Sequence, residues 1–139
     1  MKAIGTWFLS VALVFGGSLP AAHASATKVI VLNVTKGGLV SSDISISKDK
    51  QIRLAKGTRV KLIFKFADKT HAAAHQFMLN SQGTEMTTAL LNAEVKEASI
   101  EFTVGSRNEP FYRLSCLVPC QAMNNLVDYV ILVDAPKET

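Results

Sequence analysis

Apolar and polar residues alternate with a period of two through most of this chain, and that pattern limits its folds more than any other feature. The clearest case runs from Val60 to Phe66, with Val60, Leu62, Phe64 and Phe66 on one side and Lys61 and Lys65 on the other. Successive side chains of an extended strand point to opposite faces, so such a segment buries one face and wets the other. Ile52 and Leu54 repeat the pattern ahead of Lys56-Gly57, as do Ile100, Phe102 and Val104, and then Tyr112, Leu114 and Cys116 after Pro110. Ile44 and Ile46 alternate with serines and read as a further strand. A dense apolar run from Val29 to Val34 precedes the turn Lys36-Gly37-Gly38, and residues 128–133 close the series. Past the first 26 residues no stretch keeps a helical period for three turns. Only 87–97, with Ala89, Leu90, Leu91 and Ala93, favours a turn of helix, as a connection across one end. Seven to eight short strands divided by turn signals predict an all-β fold, a Greek-key β-sandwich of two sheets forming one domain.

Residues 1–26 do not share this pattern. Lys2 precedes an apolar run from Trp7 to Leu19, followed by Pro20 and the small residues around His23. The order of charge, apolar run and small residues is that of a signal peptide, with cleavage expected after Ala24 or Ala26. The run is shorter than the roughly 20 residues that a membrane span needs. The predicted product is a domain over 27–139, periplasmic or otherwise exported, with no membrane span after cleavage. Fifteen Lys and Arg stand against eleven Asp and Glu. Arg59, Lys61 and Lys65 alternate with apolar neighbours, which describes a solvated strand face. No basic cluster with interleaved aromatics is present, so nucleic acid is not an expected partner.

The chemistry-bearing residues after the leader are few: His71 and His75, Cys116 and Cys120, Met78, Met86 and Met123. In His75-Gln76-Phe77-Met78-Leu79 the side chains of 75, 77 and 79 share a face, which puts the histidine at the mouth of the core. Cys116 shares a face with Tyr112 and Leu114 at the end of its strand. The loop that follows, 117–125, carries Cys120 and Met123. Thiolate, imidazole and thioether form a soft donor set that suits copper. Met78 faces away from His75 and Met86 falls in a loop, so both are assigned to packing or surface. His71, next to three alanines, is a further candidate ligand. Two cysteines in an exported chain are equally a disulfide candidate. No nucleophile elbow, phosphate loop or carboxylate pair accompanies the histidines, and Cys-x-x-x-Cys is not the thioredoxin-type spacing, so no enzymatic activity is expected.

The segment from Ile52 to Phe77, with Gly57, the Val60–Phe66 strand, Asp68 and His-x-Phe at 75–77, resembles the first half of a cupredoxin. Tyr112 to Met123 resembles the second half, where a cysteine ends a strand and a ligand loop follows. The resemblance implies a cupredoxin-like sandwich with copper as cofactor and His75, Cys116, Cys120, Met123 and a candidate His71 as ligands. In mononuclear blue-copper proteins a histidine follows the cysteine, and here Cys120 occupies its place with Met123 at the axial position. The Cys116/Cys120 spacing is similar to that of the binuclear copper A domains of cytochrome oxidase subunit II, with Val118 as the carbonyl donor. That pattern then departs at Asn124 and Val127, where a histidine and a methionine would stand. The implied function is one-electron transfer with a redox partner protein. Two alternatives stay open: a Cu(I) carrier serving a copper-accepting protein, and a metal-free module with a Cys116–Cys120 disulfide.

Overall fold

The alternating segments pair as nine strands in two mixed sheets, seen in a computed structural model that describes residues 26–70, 73–117 and 129–135. β1 (Lys28–Thr35), β2 (Gly38–Ser41), β4 (Arg59–Phe66) and β7 (Glu97–Thr103) form a sheet in the order β2-β1-β4-β7. β3 (Gln51–Ala55), β5 (Phe77–Ser81), β6 (Thr84–Thr87), β8 (Phe111–Cys116) and β9 (Val130–Asp134) form the other, ordered β3-β9-β8-β5-β6. The β1/β4 and β3/β9 pairs are parallel, and the rest are antiparallel. The chain passes repeatedly from one sheet to the other, as a Greek-key sandwich requires.

The period-two pattern has the expected result. Val60, Leu62, Phe64 and Phe66 of β4 are buried against Ile52, Leu54, Phe77, Leu79, Leu114 and Ile131 of the facing sheet. The Phe64 and Phe77 rings stack across the two sheets with centroids 4.5 Å apart and 10° between planes. The opposite side of β4 is wet: Arg59 and Lys65 are exposed, and Lys61 pairs with Glu101 of β7 at 3.3 Å.

Three local expectations are corrected. Residues Ile44–Asp49 form a short helix, α1, and not a strand. The Ser41 hydroxyl accepts from the Asp43 N–H (3.1 Å), the helix starts after that turn, and Lys50, at φ 51°, ends it. Two isoleucines among serines are too few to distinguish the two periods, and Ile46 reaches the core from the helix. Conversely, 88–96 contains no helix. The Asn92 side chain accepts from the N–H groups of Glu94 (2.8 Å) and Val95 (2.9 Å), an Asx-type turn that outcompetes helix propensity. Met86, expected in a loop, lies on β6 and packs against the core. The Gln82-Gly83 turn, with Gly83 at φ 86°, closes a β5–β6 hairpin that was not anticipated.

At the pole where β5 turns into β6, Glu109 ties the β7–β8 connection to that hairpin. Its carboxylate accepts from the Arg107 N–H (2.8 Å) and the Thr84 hydroxyl (3.3 Å). Burial pushes this carboxyl up, but hydrogen bonds from its own and the Arg107 N–H and from the Tyr112 and Thr84 hydroxyls outweigh it. The net effect holds the group below its ordinary value of 4.5. A folded value below the unfolded one means stability that is present above the unfolded value and lost as pH falls through the folded one. Glu109→Gln is therefore expected to melt below wild type at pH 7, with the gap closing as the pH is taken under 4.5. A gap of constant size across that range would show that packing, and not charge, is what Glu109 supplies.

Candidate metal centre

The opposite pole carries His75 and Cys116, and strand pairing sets their relation. β5 and β8 run antiparallel with Phe77 opposite Cys116, and the Leu117 N–H donates to the Gln76 carbonyl at 2.8 Å, extending the ladder outward. His75 is therefore the diagonal neighbour of Cys116 on the core-facing side. Such neighbours have Cα atoms roughly 7–8 Å apart, within reach of convergent side chains. Both side chains face inward: His75 is only 4 % exposed, and half-buried Cys116 packs against the core cluster.

The backbone around His75 is held on two flanks. Toward β8 the outermost bond is at its neighbour, Gln76. On the other, the His75 N–H donates to the Leu91 carbonyl (2.9 Å) and the Leu91 N–H donates back (2.8 Å). One step along, the Thr88 N–H donates to the Phe77 carbonyl (2.9 Å), and the Phe77 N–H donates to the buried Thr88 hydroxyl (3.1 Å). The Gln76 amide adds a bond to the Thr88 carbonyl at 3.0 Å. Residues 88–91 thus continue the sheet past the end of β6, and a side chain whose backbone is held this way has little freedom left to lose. Sequence reasoning did not find Thr88 and Leu91. A threonine after a short strand carries no signal until its partner strand is known.

Rings fix the imidazole. It lies parallel to Phe77 (6.1 Å, 5°) and meets the Phe66 ring edge-on (5.7 Å, 71°). Phe77 in turn stacks on Phe64, so the imidazole caps a column of aromatic rings that crosses the core.

Of the predicted ligands, the structure brings His75 and Cys116 together. His71, Cys120 and Met123 lie outside the described residues, and among the described residues no three His, Cys, Asp or Glu side chains cluster. The imidazole and thiol fit copper by donor chemistry: both are soft or borderline, and both come from strand ends fixed by the ladder.

In overall structure the chain is similar to auracyanin A, a "blue" copper protein from Chloroflexus aurantiacus, with a TM-score of 0.56 and 14% identity over 78% of this chain and 100% of that one. It is also similar to reduced rusticyanin, with a TM-score of 0.52 and 16% identity over 78% of this chain and 79% of that one. The fold is that of the cupredoxins. A third likeness, to auracyanin from Roseiflexus castenholzii, has a TM-score of 0.51 at 16% identity, covering 80% of this chain and 98% of that chain. In sequence, no family model and no curated protein matches the chain. Among the described residues, no helix is long and apolar enough to cross a membrane.

Proposed function

We propose that this cupredoxin-like chain is an exported copper protein that carries single electrons to or from a partner protein. The observation that carries the reading is the diagonal pairing of His75 and Cys116 at one pole of this sandwich. His75 and Cys116 would hold the metal, with Cys120 and Met123 completing the shell from the following loop and His71 as a further candidate. Copper bound there supplies a one-electron couple. The protein's own part is rigidity: strand β8, the 88–91 strap and the ring column hold the donors in place whichever oxidation state is bound, and low reorganisation favours transfer.

The second reading is a Cu(I) carrier. It is favoured by the sulfur-rich donor set, in which Cys120 takes the position that a histidine occupies in the blue-copper pattern. Copper titration of the reduced, leaderless protein separates the readings. Electron transfer predicts one copper per chain and strong thiolate-to-Cu(II) absorption in the visible. A colourless form that holds only Cu(I) supports the carrier. No binding after full reduction overturns both and leaves the disulfide module. His71→Ala is expected to leave metal content and spectrum unchanged. Loss of a second copper in that variant would instead establish a binuclear centre.

A further inference from the structure

The strand that flanks β5 keeps one register along the hairpin and another beside His75. The pairs Leu79–Met86 and Met78–Thr87 lead on to Phe77 and Thr88, joined where the Thr88 N–H donates to the Phe77 carbonyl. Carried two residues further, that register would set Leu90 opposite His75. The residue opposite His75 is instead Leu91, bonded to it in both directions. Ala89 and Leu90 together thus oppose the single residue Gln76, which makes a β-bulge. A slip of one residue exchanges the two faces of a strand, and burial records it: Leu91 is 0 % exposed and Leu90 43 %. With two leucines in a row, the chain can offer one to the core in either register. The bonding at the break distinguishes them. In an unbroken antiparallel ladder the Phe77 N–H would donate to the Thr88 carbonyl. Here it donates to the Thr88 hydroxyl, and the Gln76 side-chain amide takes the carbonyl instead. Thr88 and Phe77 are both buried, so losing either bond would leave a polar group unpaired.

We propose that Thr88 and Gln76 are positioning residues: together they select the bulged register and so set the backbone of His75. The Thr88 hydroxyl gives the Phe77 N–H an acceptor and releases the Thr88 carbonyl from the ladder. The Gln76 amide then holds that carbonyl aside. The chain steps one residue further before it closes on His75, and Leu91 enters the core in place of Leu90. Without the hydroxyl, the buried Phe77 N–H is satisfied by the carbonyl of residue 88, and that bond draws Leu90 opposite His75. Bulges are over-represented beside functional sites, where they re-aim a side chain. The inference rests on the copper reading for its purpose, because the backbone placed in this way is that of His75. The register itself needs no metal.

The test reads the register in the metal-free protein by nuclear Overhauser contacts across the strands. Wild type should show the His75 amide facing Leu91. Thr88→Val keeps the shape and removes the hydroxyl, and the contact should move to Leu90. Thr88→Ser, which restores the hydroxyl, should return it to Leu91. Leu90→Asp supplies a second readout. It should leave the thermal midpoint of wild type nearly unchanged and lower it sharply in the Thr88→Val background, where residue 90 turns inward. If Thr88→Val does not fold, Gln76→Met, which frees the Thr88 carbonyl, is read in the same two ways. A contact that stays at Leu91 in the variant, or a Leu90→Asp effect equal in both backgrounds, would overturn the proposal. Copper titration completes the test: Thr88→Val should lose roughly tenfold or more in affinity and Thr88→Ser should recover it, as for the loss of an outer-shell partner. A shifted register with unchanged affinity would overturn the positioning role. Wild-type protein that takes up no copper would overturn the copper reading alone, since the strand contacts still decide the register.

Discussion

Phe64→Ala is expected to lower the unfolding free energy by about 3–5 kcal/mol, out of the roughly 5–15 kcal/mol that a domain of this size has to lose. Phe64 is fully buried at the centre of β4, and its ring stacks on Phe77 of the facing sheet. Truncation removes the transfer free energy of the ring, leaves a void that two hydrogen-bonded sheets cannot collapse to fill, and breaks a ring pair worth roughly 0.5–1.5 kcal/mol in itself. Phe64→Leu should recover much of the loss, because it keeps most of the volume. Phe111→Ala is the counterpart: that ring is 37 % exposed on the outer side of β8, and its removal should cost about 0.5 kcal/mol or less. Denaturant unfolding followed by far-UV circular dichroism measures all three. Equal losses for Phe64→Ala and Phe111→Ala would mean that the two sheets do not meet at the Phe64–Phe77 stack.

That core was legible in the sequence because a strand's period is exact. Once Val60, Leu62, Phe64 and Phe66 were seen to alternate with charge, their burial and the exposure of Lys65 followed from geometry alone. The same reasoning placed His75 with Phe77 and Leu79, and Cys116 with Tyr112 and Leu114. What it missed was decided by side-chain to backbone hydrogen bonds. Asn92 turned a helix-favouring segment into a strap, and Thr88 fastened that strap to Phe77. Both bonds depend on a partner whose position is fixed only by the whole fold. The pairing of the two site strands was likewise not in the periodicity. It came from the resemblance, and the Phe77–Cys116 register agrees with it.

The largest effect at the site is expected from Cys116. Cys116→Ser should lower copper affinity by more than roughly 100-fold, since even loss of a ligand's outer-shell partner costs 10–100-fold and this change replaces the thiolate itself. The fold should remain, because Cys116 is half-buried at the end of β8, serine differs little from it in size, and the ladder to Phe77 is made by backbone. An unchanged thermal midpoint for the metal-free variant, together with lost copper retention, is the result that assigns Cys116 to the metal. Cys120 distinguishes the two copper readings by the opposite change. Cys120→His gives the loop the imidazole found there in the mononuclear blue-copper pattern and leaves Cys116 as the single thiolate, so Cu(II) becomes better tolerated and visible absorption should intensify. Cys120→Ser should weaken copper without unfolding the chain. If instead the metal-free Cys120→Ser protein loses several kcal/mol and Cys116→Ser loses the same amount, the two sulfurs were bonded to each other. Copper would then have no thiolate left to claim.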